Sequence, residues 1–303
     1  MASLNDINNN PLVSVIVNCY NGESYLEECL TSIQNQTYQN WEVIFWDNHS
    51  TDSSKQIFKK FTDKRFKYYL SPAHMNLYEA RDLAVKASSG DFITFCDVDD
   101  FWEKNRLQFP IPLFKNKNIG IVYCNQWLLN NKTKKKTKLN KGTLLRGNLF
   151  SEIISKKTSV TILTAIVRKS EYLNLDTGFN KNYQIIGDFD FFVRISKKCT
   201  YDCVQEPLVF YRLHENNFTR KNRELELEEL EKWHHNIKSL LSDKELGLIK
   251  EMILYKKITV LIFKKQLTNS FKYILKYPNN FKKIKLLLAL SLPTSILEKL
   301  KDF

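Results

Sequence analysis

The first hundred residues alternate short apolar runs with amphipathic stretches, and this alternation constrains the fold more than any other feature. The runs 12–17, 42–46, 66–70 and 91–96 are dominated by β-branched, aromatic and other apolar residues, as buried strands are. Between them, apolar residues recur at helical spacing. Strands that alternate with helices through short connections form a parallel sheet with helices on both faces. We therefore predict an α/β fold with a mostly parallel sheet flanked by helices.

Polar clusters follow three of these runs, at positions 18–22, 47–52 and 97–100. Open parallel sheets bind their ligands at the carboxyl ends of the strands. Because all three clusters come at such ends, we expect them to form the functional site.

The pattern changes after about residue 119. The stretches 119–129, 160–168 and 208–214 are typical of strands, the first two joined through a lysine-rich hairpin turn. Residues 188–195 have the pattern of a helix start, and residues 222–240 that of a charged helix.

The net charge of +13 lies mostly in the tail, where residues 255–303 contain eleven lysines and two acidic residues. The main body is therefore not a basic platform, and we expect no nucleic-acid partner, although a nucleic-acid protein that uses the tail is a rival hypothesis. Lysines beside apolar residues suit a helix lying on an anionic membrane surface. An apolar face packed on the catalytic domain explains the same pattern, so both interpretations stay open.

Three features favour a cytoplasmic location, with attachment to the inner face of the cell membrane as an option. The six cysteines fall mostly in apolar runs, which is typical of reduced thiols. The first residues lack the pattern of a signal peptide. The longest nearly apolar stretch, 286–292, is too short to span a bilayer.

Asp97, Asp99 and Asp100 place three carboxylates within four residues, and these repel one another unless a cation lies among them. Alternation along an extended chain would put Asp97 and Asp99 on one side. Such a pair suits Mg²⁺ or Mn²⁺, which often bridge to phosphates. A solvated acidic turn that caps a helix at 101–114 is the alternative.

Five further residues carry candidate roles. Asp47 could hold a nucleobase or ribose, or it could cap the next helix. Asp188 and Asp190 lie in an apolar stretch, so either could act as a base near neutral pH or cap a helix. His214 and Arg81 could contact a ligand, or serve as a structural histidine and a solvated surface charge.

Six ordered segments over residues 12–217 resemble family 2 glycosyltransferases. They are similar to the opening strand, the Asp-Gly-Ser-Thr-Asp loop, the Ala-Arg-Asn helix, the Asp-X-Asp strand, the acceptor-side Glu-Asp segment and the strand that follows it. In that order the segments are VSVIVNCYN at 13–21, EVIFWDNHSTD at 42–52, EARD at 79–82, GDFITFCDVDD at 90–100, GDFDFFVR at 187–194 and PLVFYRLHENN at 207–217.

The resemblance implies a GT-A (Rossmann-like) fold, a nucleotide-sugar donor and a divalent cation, Mn²⁺ or Mg²⁺. Residues 1–220 would form the catalytic domain, with a nucleotide-sugar half at about 12–115 and an acceptor half at about 116–220. The tail lies outside the resemblance, and its clustered apolar residues and lysines predict that residues 221–303 form a helical, basic C-terminal extension.

The resemblance also implies roles for individual residues. The nucleoside contacts would come from Asn18, Tyr20 and Asp47, and Arg81 would contact the nucleotide or the diphosphate. Asp97 would hold ribose and metal.

Asp99 would hold the metal, which His214 could also reach. Asp188 would be the base, with Asp190 as the runner-up.

The implied reaction is an inverting transfer of a sugar, with UDP as the expected nucleotide, to a hydroxyl of a glycan or lipid-linked acceptor. Such a reaction would serve the synthesis of a surface polysaccharide or glycoconjugate. A nucleotide-sugar-binding protein without turnover and a nucleotidyltransferase are the alternatives. The latter usually has a glycine-rich, basic phosphate loop after the first strand, whereas residues 18–23 contain one glycine and no lysine or arginine.

Four residues depart from the family pattern. Asn48 and Gly187 stand where many members have Asp and Glu, and Asp82 and Ala84 replace a common Asn and Gly. The chain also lacks a Gln-X-X-Arg-Trp motif after Asp188, which argues against a processive synthase and favours single additions.

Overall fold

The computed structural model describes residues 10–215, 217–238 and 241–297. Within these ranges the chain divides into two compact units. The first contains residues 10–153 and 158–215, and the second contains the short segment 154–157 and the described residues from 217 onward.

The first unit is built on nine strands. They are β1 (Val13–Cys19), β2 (Trp41–Asp47), β3 (Phe66–Leu70), β4 (Phe92–Phe95), β5 (Phe101–Trp102), β6 (Ile119–Asn130), β7 (Lys136–Lys138), β8 (Ala165–Arg168) and β9 (Thr200–Leu213). The helices of this part of the chain are α1 (Leu26–Gln34), α2 (Ser54–Phe58), α3 (Leu77–Ala87), a 3-10 helix (Ile111–Lys115), α4 (Phe150–Ile154), α5 (Lys169–Leu173) and α6 (Gly187–Ile195).

The described part of the second unit is helical. Its helices are α7 (Phe218–Lys221), α8 (Arg223–Ile237), α9 (Asp243–Phe263), α10 (Leu267–Lys276), α11 (Phe281–Ala289) and α12 (Thr294–Leu297). None of the helices in the described ranges combines the length and the apolar character needed to cross a membrane.

The strands form one mixed sheet in the order β3-β2-β1-β4-β8-β6-β9-β5, with β7 paired to β6. The four strands β3, β2, β1 and β4 are parallel, which confirms the prediction for the first hundred residues. Beyond β4 the pairing is antiparallel except between β6 and β9. Every residue of β1 is buried, because helices cover both faces of a parallel sheet.

The structure corrects four of the predicted elements and connections. The lysine-rich turn joins β6 to β7 and not to the strand predicted at 160–168, and the strand predicted at 208–214 begins at Thr200. The strand predicted at 160–168 begins only at Ala165, because the hydroxyl of Thr164 accepts from the backbone N–H of Thr161 at 3.1 Å and closes a turn. The segment 101–114 forms no continuous helix. Its first two residues make β5, and prolines at 110 and 112 leave only a short 3-10 helix near the end.

The register of the parallel strands brings the predicted polar clusters to one edge. Asn18 pairs with Trp46 and Cys19 with Asp47 across β1 and β2. On the other side of β1, Ile16 pairs with Phe95, the last residue of β4. The residues that follow β1, β2 and β4 therefore leave the sheet together.

Candidate active site

Arg81 joins two of the predicted carboxylates. It lies on α3, whose start is capped by the Asn76 side chain, which accepts from the Tyr78 N–H at 2.8 Å. Its Nη1 donates to Oδ1 of Asp188 at 2.6 Å, and its Nη2 donates to Oδ1 of Asp97 at 2.7 Å. The Arg81 side chain is only 2% exposed, so it is a buried bridge and not a solvated surface charge.

The surroundings of this guanidinium are apolar. Its carbon lies 5.6 Å from the ring centre of Tyr78 and 6.0 Å from those of Phe95 and Phe179. Burial lowers the pKa of Arg81, but the two carboxylates outweigh it and raise that pKa above its ordinary value. The guanidinium of Arg81 therefore carries a permanent positive charge.

Asp188 lies in the first turn of α6 and is one of the two carboxylates that pair with Arg81. Burial raises its pKa to about 6, with Asp97 adding to the rise and Arg81 opposing it. A carboxylate with this pKa can accept a proton near neutral pH.

Asp190 serves a different purpose. Its carboxylate pairs with Arg194 one turn later at 2.8 Å, and Arg194 donates to the backbone carbonyls of Thr177 and Gly178 at 2.6 Å. Asp190 therefore supports the loop before α6, and the geometry favours Asp188 of the two predicted bases.

Gly187 has a steric reason to be glycine. A Cβ atom at this position would lie 2.5 Å from the ring of Tyr78, which is 2% exposed and cannot move away freely. The Tyr78 hydroxyl also donates to the carbonyl of Ile185 at 2.7 Å. The departure from the family's Glu at this position is thus accompanied by an aromatic ring in the space beside it.

The acidic cluster after β4 forms a turn instead of the extended chain that we predicted. The Asp100 N–H donates to the Asp97 carbonyl at 2.9 Å, so the side chains do not alternate as on a strand. Asp97 pairs with Arg81, whereas Oδ2 of Asp99 lies 2.9 Å from Nε2 of His214. Burial, with the charge of Asp97, raises the pKa of Asp99.

Arg212 holds this turn, and the sequence analysis missed it. The backbone N–H of Arg212 donates to Oδ1 of Asp100 at 2.9 Å, and its side-chain Nε donates to the backbone carbonyl of Asp99 at 2.8 Å. Its Nη2 pairs with Glu28 of α1 at 2.5 Å. Arg212 lies two residues before His214 at the end of β9, and strand alternation was the signal that could have identified it.

Asn18 and Tyr20, for which the resemblance implies nucleoside contacts, lie at the end of β1 and directly after it. The Nδ2 of Asn18 is buried and has no hydrogen-bond partner among the described residues. The Tyr20 ring is half exposed and lies 4.1 Å, centre to centre, from the ring of His74. His74 follows β3 outside every motif, so the sequence carried no signal for it.

Asp47 organises the loop after β2. Its Oδ1 accepts from the Ser50 N–H at 2.8 Å, and its Oδ2 accepts from the Tyr68 hydroxyl at 2.6 Å. The residue is 1% exposed. Asp47 does not cap α2, whose N-cap residue is Ser53, so the capping prediction is wrong and the side chain orders the preceding loop instead. The contact to a nucleobase or ribose stays a prediction.

The Asn48 side chain makes two hydrogen bonds to the backbone of Met75, one as donor and one as acceptor. Its Nδ2 donates to the Met75 carbonyl at 2.8 Å, and its Oδ1 accepts from the Met75 N–H at 3.1 Å. An aspartate cannot make the first bond, which explains why asparagine suits this position.

The loops after β1 and β2 are tied together. The side chain of Asn21, a residue with φ of 53°, accepts from the Thr51 N–H at 2.9 Å. The Gly22 N–H donates to the Ser54 hydroxyl at 3.0 Å. These bonds give the edge of the sheet a defined shape before any ligand binds.

The described ranges contain no cluster of three or more acidic, histidine or cysteine side chains placed to hold a metal ion. The Asp99–His214 pair supplies one carboxylate and one imidazole. Cations that bind phosphates commonly take only one or two protein ligands and complete their shell with substrate and water. The pair therefore fits a phosphate-bridged cation better than a site made of protein ligands alone.

Comparison with known proteins places these residues in a family. Residues 14–168, just over half of the chain, match Glycosyl transferase family 2. The UDP-Glc:alpha-D-GlcNAc-diphosphoundecaprenol beta-1,3-glucosyltransferase WfgD of Escherichia coli is 36% identical over 120 residues, which are 40% of this chain and 47% of that protein. The chain thus spans about half the length of this curated relative.

Two solved structures share the fold at low identity. The mannosyltransferase PcManGT from Pyrobaculum calidifontis, in complex with GDP-Man and Mn²⁺, has a TM-score of 0.66 and 14% identity, covering 96% of this chain and 81% of that one. S. aureus TarS 1-349, in complex with UDP-GlcNAc, has a TM-score of 0.63 and 19% identity, covering 88% and 81%. The chain therefore belongs to glycosyl transferase family 2 and has the predicted GT-A fold.

Proposed function

We propose that this protein is an inverting glycosyltransferase that moves a sugar from a UDP-sugar to a hydroxyl of a glycan or lipid-linked acceptor. The observation that carries the proposal is the bridge from Asp97 through Arg81 to Asp188. It joins the acidic turn after β4, where a donor diphosphate would bind, to a carboxylate suited to act as a base. A binding protein needs no such base.

The comparisons support the choice of substrates. WfgD is named for a UDP-Glc donor and a diphosphoundecaprenol-linked acceptor, and TarS was solved with UDP-GlcNAc. We propose the same classes of donor and acceptor here, in the synthesis of a surface polysaccharide or glycoconjugate.

Asp99 and His214 would hold a divalent cation, Mn²⁺ or Mg²⁺, together with phosphate oxygens and water, and Asp97 would lie beside it. The bound cation would supply Lewis-acid stabilisation of the charge that grows on the departing diphosphate. The geometry supports this role because Asp99 is partly buried beside the negative charge of Asp97, and its Oδ2 lies 2.9 Å from Nε2 of His214.

Asp188 would take the proton from the acceptor hydroxyl as that oxygen attacks the anomeric carbon. Attack from the face opposite the diphosphate inverts that carbon in one step, so a single base is sufficient. Arg81 would orient Asp188 and Asp97, since both of its terminal nitrogens already bind them. Its contact with the nucleotide or diphosphate remains part of the proposal.

Asn18, Tyr20 and Asp47 would bind the nucleoside. Support comes from Nδ2 of Asn18, which is buried and finds no acceptor in the described part of the chain, and from the half-exposed ring of Tyr20, on which a base can stack. We further propose that residues 1–220 act as the transferase domain and residues 221–303 as its extension.

The test is a donor panel of UDP-, GDP- and dTDP-sugars with Mn²⁺, Mg²⁺ or chelator, in which released nucleotide is measured with and without acceptor lipids. We expect cation-dependent release from a UDP-sugar. Asp99→Ala should lose cation-dependent nucleotide binding, whereas Asp188→Asn should bind nucleotide normally and lose turnover. Asp176→Asn, a change at an exposed carboxylate, is the matched control and should behave as the unaltered protein.

Full turnover in Asp188→Asn would refute the base assignment. Cation-dependent nucleotide binding without turnover on any acceptor would favour the binding-protein alternative, and release of pyrophosphate would favour a nucleotidyltransferase.

A further inference from the structure

Helix α10 has an exposed apolar row. Leu267, Phe271 and Leu275 recur at i, i+4 and i+8, so they share one face of the helix. Their exposed fractions are 50%, 47% and 60%. Large side chains in regular helical spacing rarely face water in this way without a partner.

Helix α11 repeats the feature. Phe281, Ile284 and Leu288 recur at i, i+3 and i+7, and their exposed fractions are 80%, 56% and 63%. Phe281 begins the helix directly after Asn280, whose side chain caps it by accepting from the N–H groups of Lys282 and Lys283. The exposed phenylalanine is thus held at a well-formed helix start.

The core of the second unit uses other faces of the same helices. Ile274 of α10 and Leu286 and Ala289 of α11 are buried, and they pack with Ile258 and Ile262 of α9. The apolar arcs of α10 and α11 are therefore wider than this core requires. Packing among the described residues of this unit leaves the two rows unexplained.

Charge identifies the partner that suits these rows. Residues 264–297 contain seven lysines and no acidic residue. Lys272 and Lys276 of α10 are exposed, and so is Lys282 of α11, although it lies 3.8 Å from Glu251. Lysine can extend its ammonium to acidic headgroups while its stem lies along apolar surface.

We propose that the basic apolar face, defined by the six exposed apolar residues of α10 and α11 and by Lys272, Lys276 and Lys282, docks on an anionic lipid bilayer. The apolar rows would enter the boundary between headgroups and acyl chains, and the lysines would contact the negative surface. With ten and nine residues, α10 and α11 are far too short to span the membrane, so they lie in its plane.

The experiment is co-sedimentation of the full chain with vesicles of phosphatidylcholine containing phosphatidylglycerol, and with vesicles of phosphatidylcholine alone. We expect binding to the anionic vesicles that weakens as salt is added, and little binding to the neutral ones. The variant Lys272→Gln/Lys276→Gln should lower the partition coefficient about thirtyfold, which corresponds to about 1 kcal/mol per lysine.

Phe281→Ser should lower the partition coefficient about tenfold or more, since it removes the most exposed aromatic anchor. The matched control is Lys134→Gln/Lys135→Gln, which removes the same charge from exposed positions in the turn between β6 and β7. The control should bind as the unaltered chain does. The altered side chains are all exposed, so thermal unfolding should be unchanged and should verify that each variant is folded.

Equal losses in the control and in the α10 variant would overturn the proposal, because binding would then follow total charge alone. Absence of binding to anionic vesicles would overturn it as well. A self-association that Phe281→Ser abolishes, without vesicle binding, would assign the face to a second copy instead. Nucleotide release from the donor, measured without vesicles, should be unchanged in the α10 and α11 variants, so failure here leaves the proposed function standing.

Discussion

Replacing Arg81 by methionine removes the cation that two carboxylates share. Methionine keeps an apolar stem between the surrounding rings, so the change isolates the charge. Removing one partner of a buried ion pair costs about 3–5 kcal/mol. The side chains of Asp97 and Asp188 are 35% and 30% exposed and retain some contact with water. We therefore expect Arg81→Met to lower the free energy of unfolding by about 3 kcal/mol, the lower end of this range.

A loss of about 3 kcal/mol should lower the midpoint of thermal unfolding by roughly 6–12 °C for a unit of this size. Urea unfolding at neutral pH measures the free energy directly. Arg146→Met is the matched control, because Arg146 pairs with Asp202 at 2.9 Å but its side chain is 61% exposed. That variant should lose less than about 1 kcal/mol.

The double variant Arg81→Met/Asp188→Asn decides whether the bridge is the cause. The second substitution removes the charge of Asp188, which lacks its cation in Arg81→Met, so the free energy of unfolding should be about 1–2 kcal/mol higher than in Arg81→Met alone. Strictly additive losses would refute the reasoning, and so would a loss below about 1 kcal/mol in Arg81→Met. In the single variant the pKa of Asp188 should rise above about 6, because the charge that opposes its rise is gone.

Three further predictions concern the same edge of the sheet. Asn48→Asp should lower the free energy of unfolding in urea by about 1–3 kcal/mol, because it replaces a buried donor by a carboxylate. Asn116→Asp is the control and should be neutral, because the Asn116 side-chain oxygen accepts from the Asn118 N–H and an aspartate oxygen can accept it as well. Gly187→Ala should lower the free energy of unfolding by about 1–3 kcal/mol, because the added methyl group collides with the ring of Tyr78. Gly142→Ala is the control, since open space surrounds that position, and it should leave the stability unchanged. Equal stability of the two variants would contradict this reasoning. A base with a raised pKa is protonated and inactive below that pKa, so kcat/KM should fall about tenfold per pH unit below about pH 6, and a flat profile would contradict the role of Asp188.

The local sequence pattern was sufficient to predict the parallel half of the sheet. Strands β1, β2 and β4 lie inside a covered sheet, so they had to be apolar runs, and their connections had to place polar clusters at one edge. The ordered motifs then identified the family, although the boundary errors at 160–164 and 101–114 show where threonine hydroxyls and prolines overrode the apolar pattern.

Tertiary structure decided what the charged residues do. Arg81 on its own helix resembles a solvated charge, and only contact with Asp188, 107 residues away, makes it a buried bridge. Arg212 holds Asp100 across 112 residues for the same reason. The sequence determined which residues could carry charge and where strands would end, but the energy of a buried charge depends on its neighbours in space. Those neighbours come from distant segments, and folding alone brings them together.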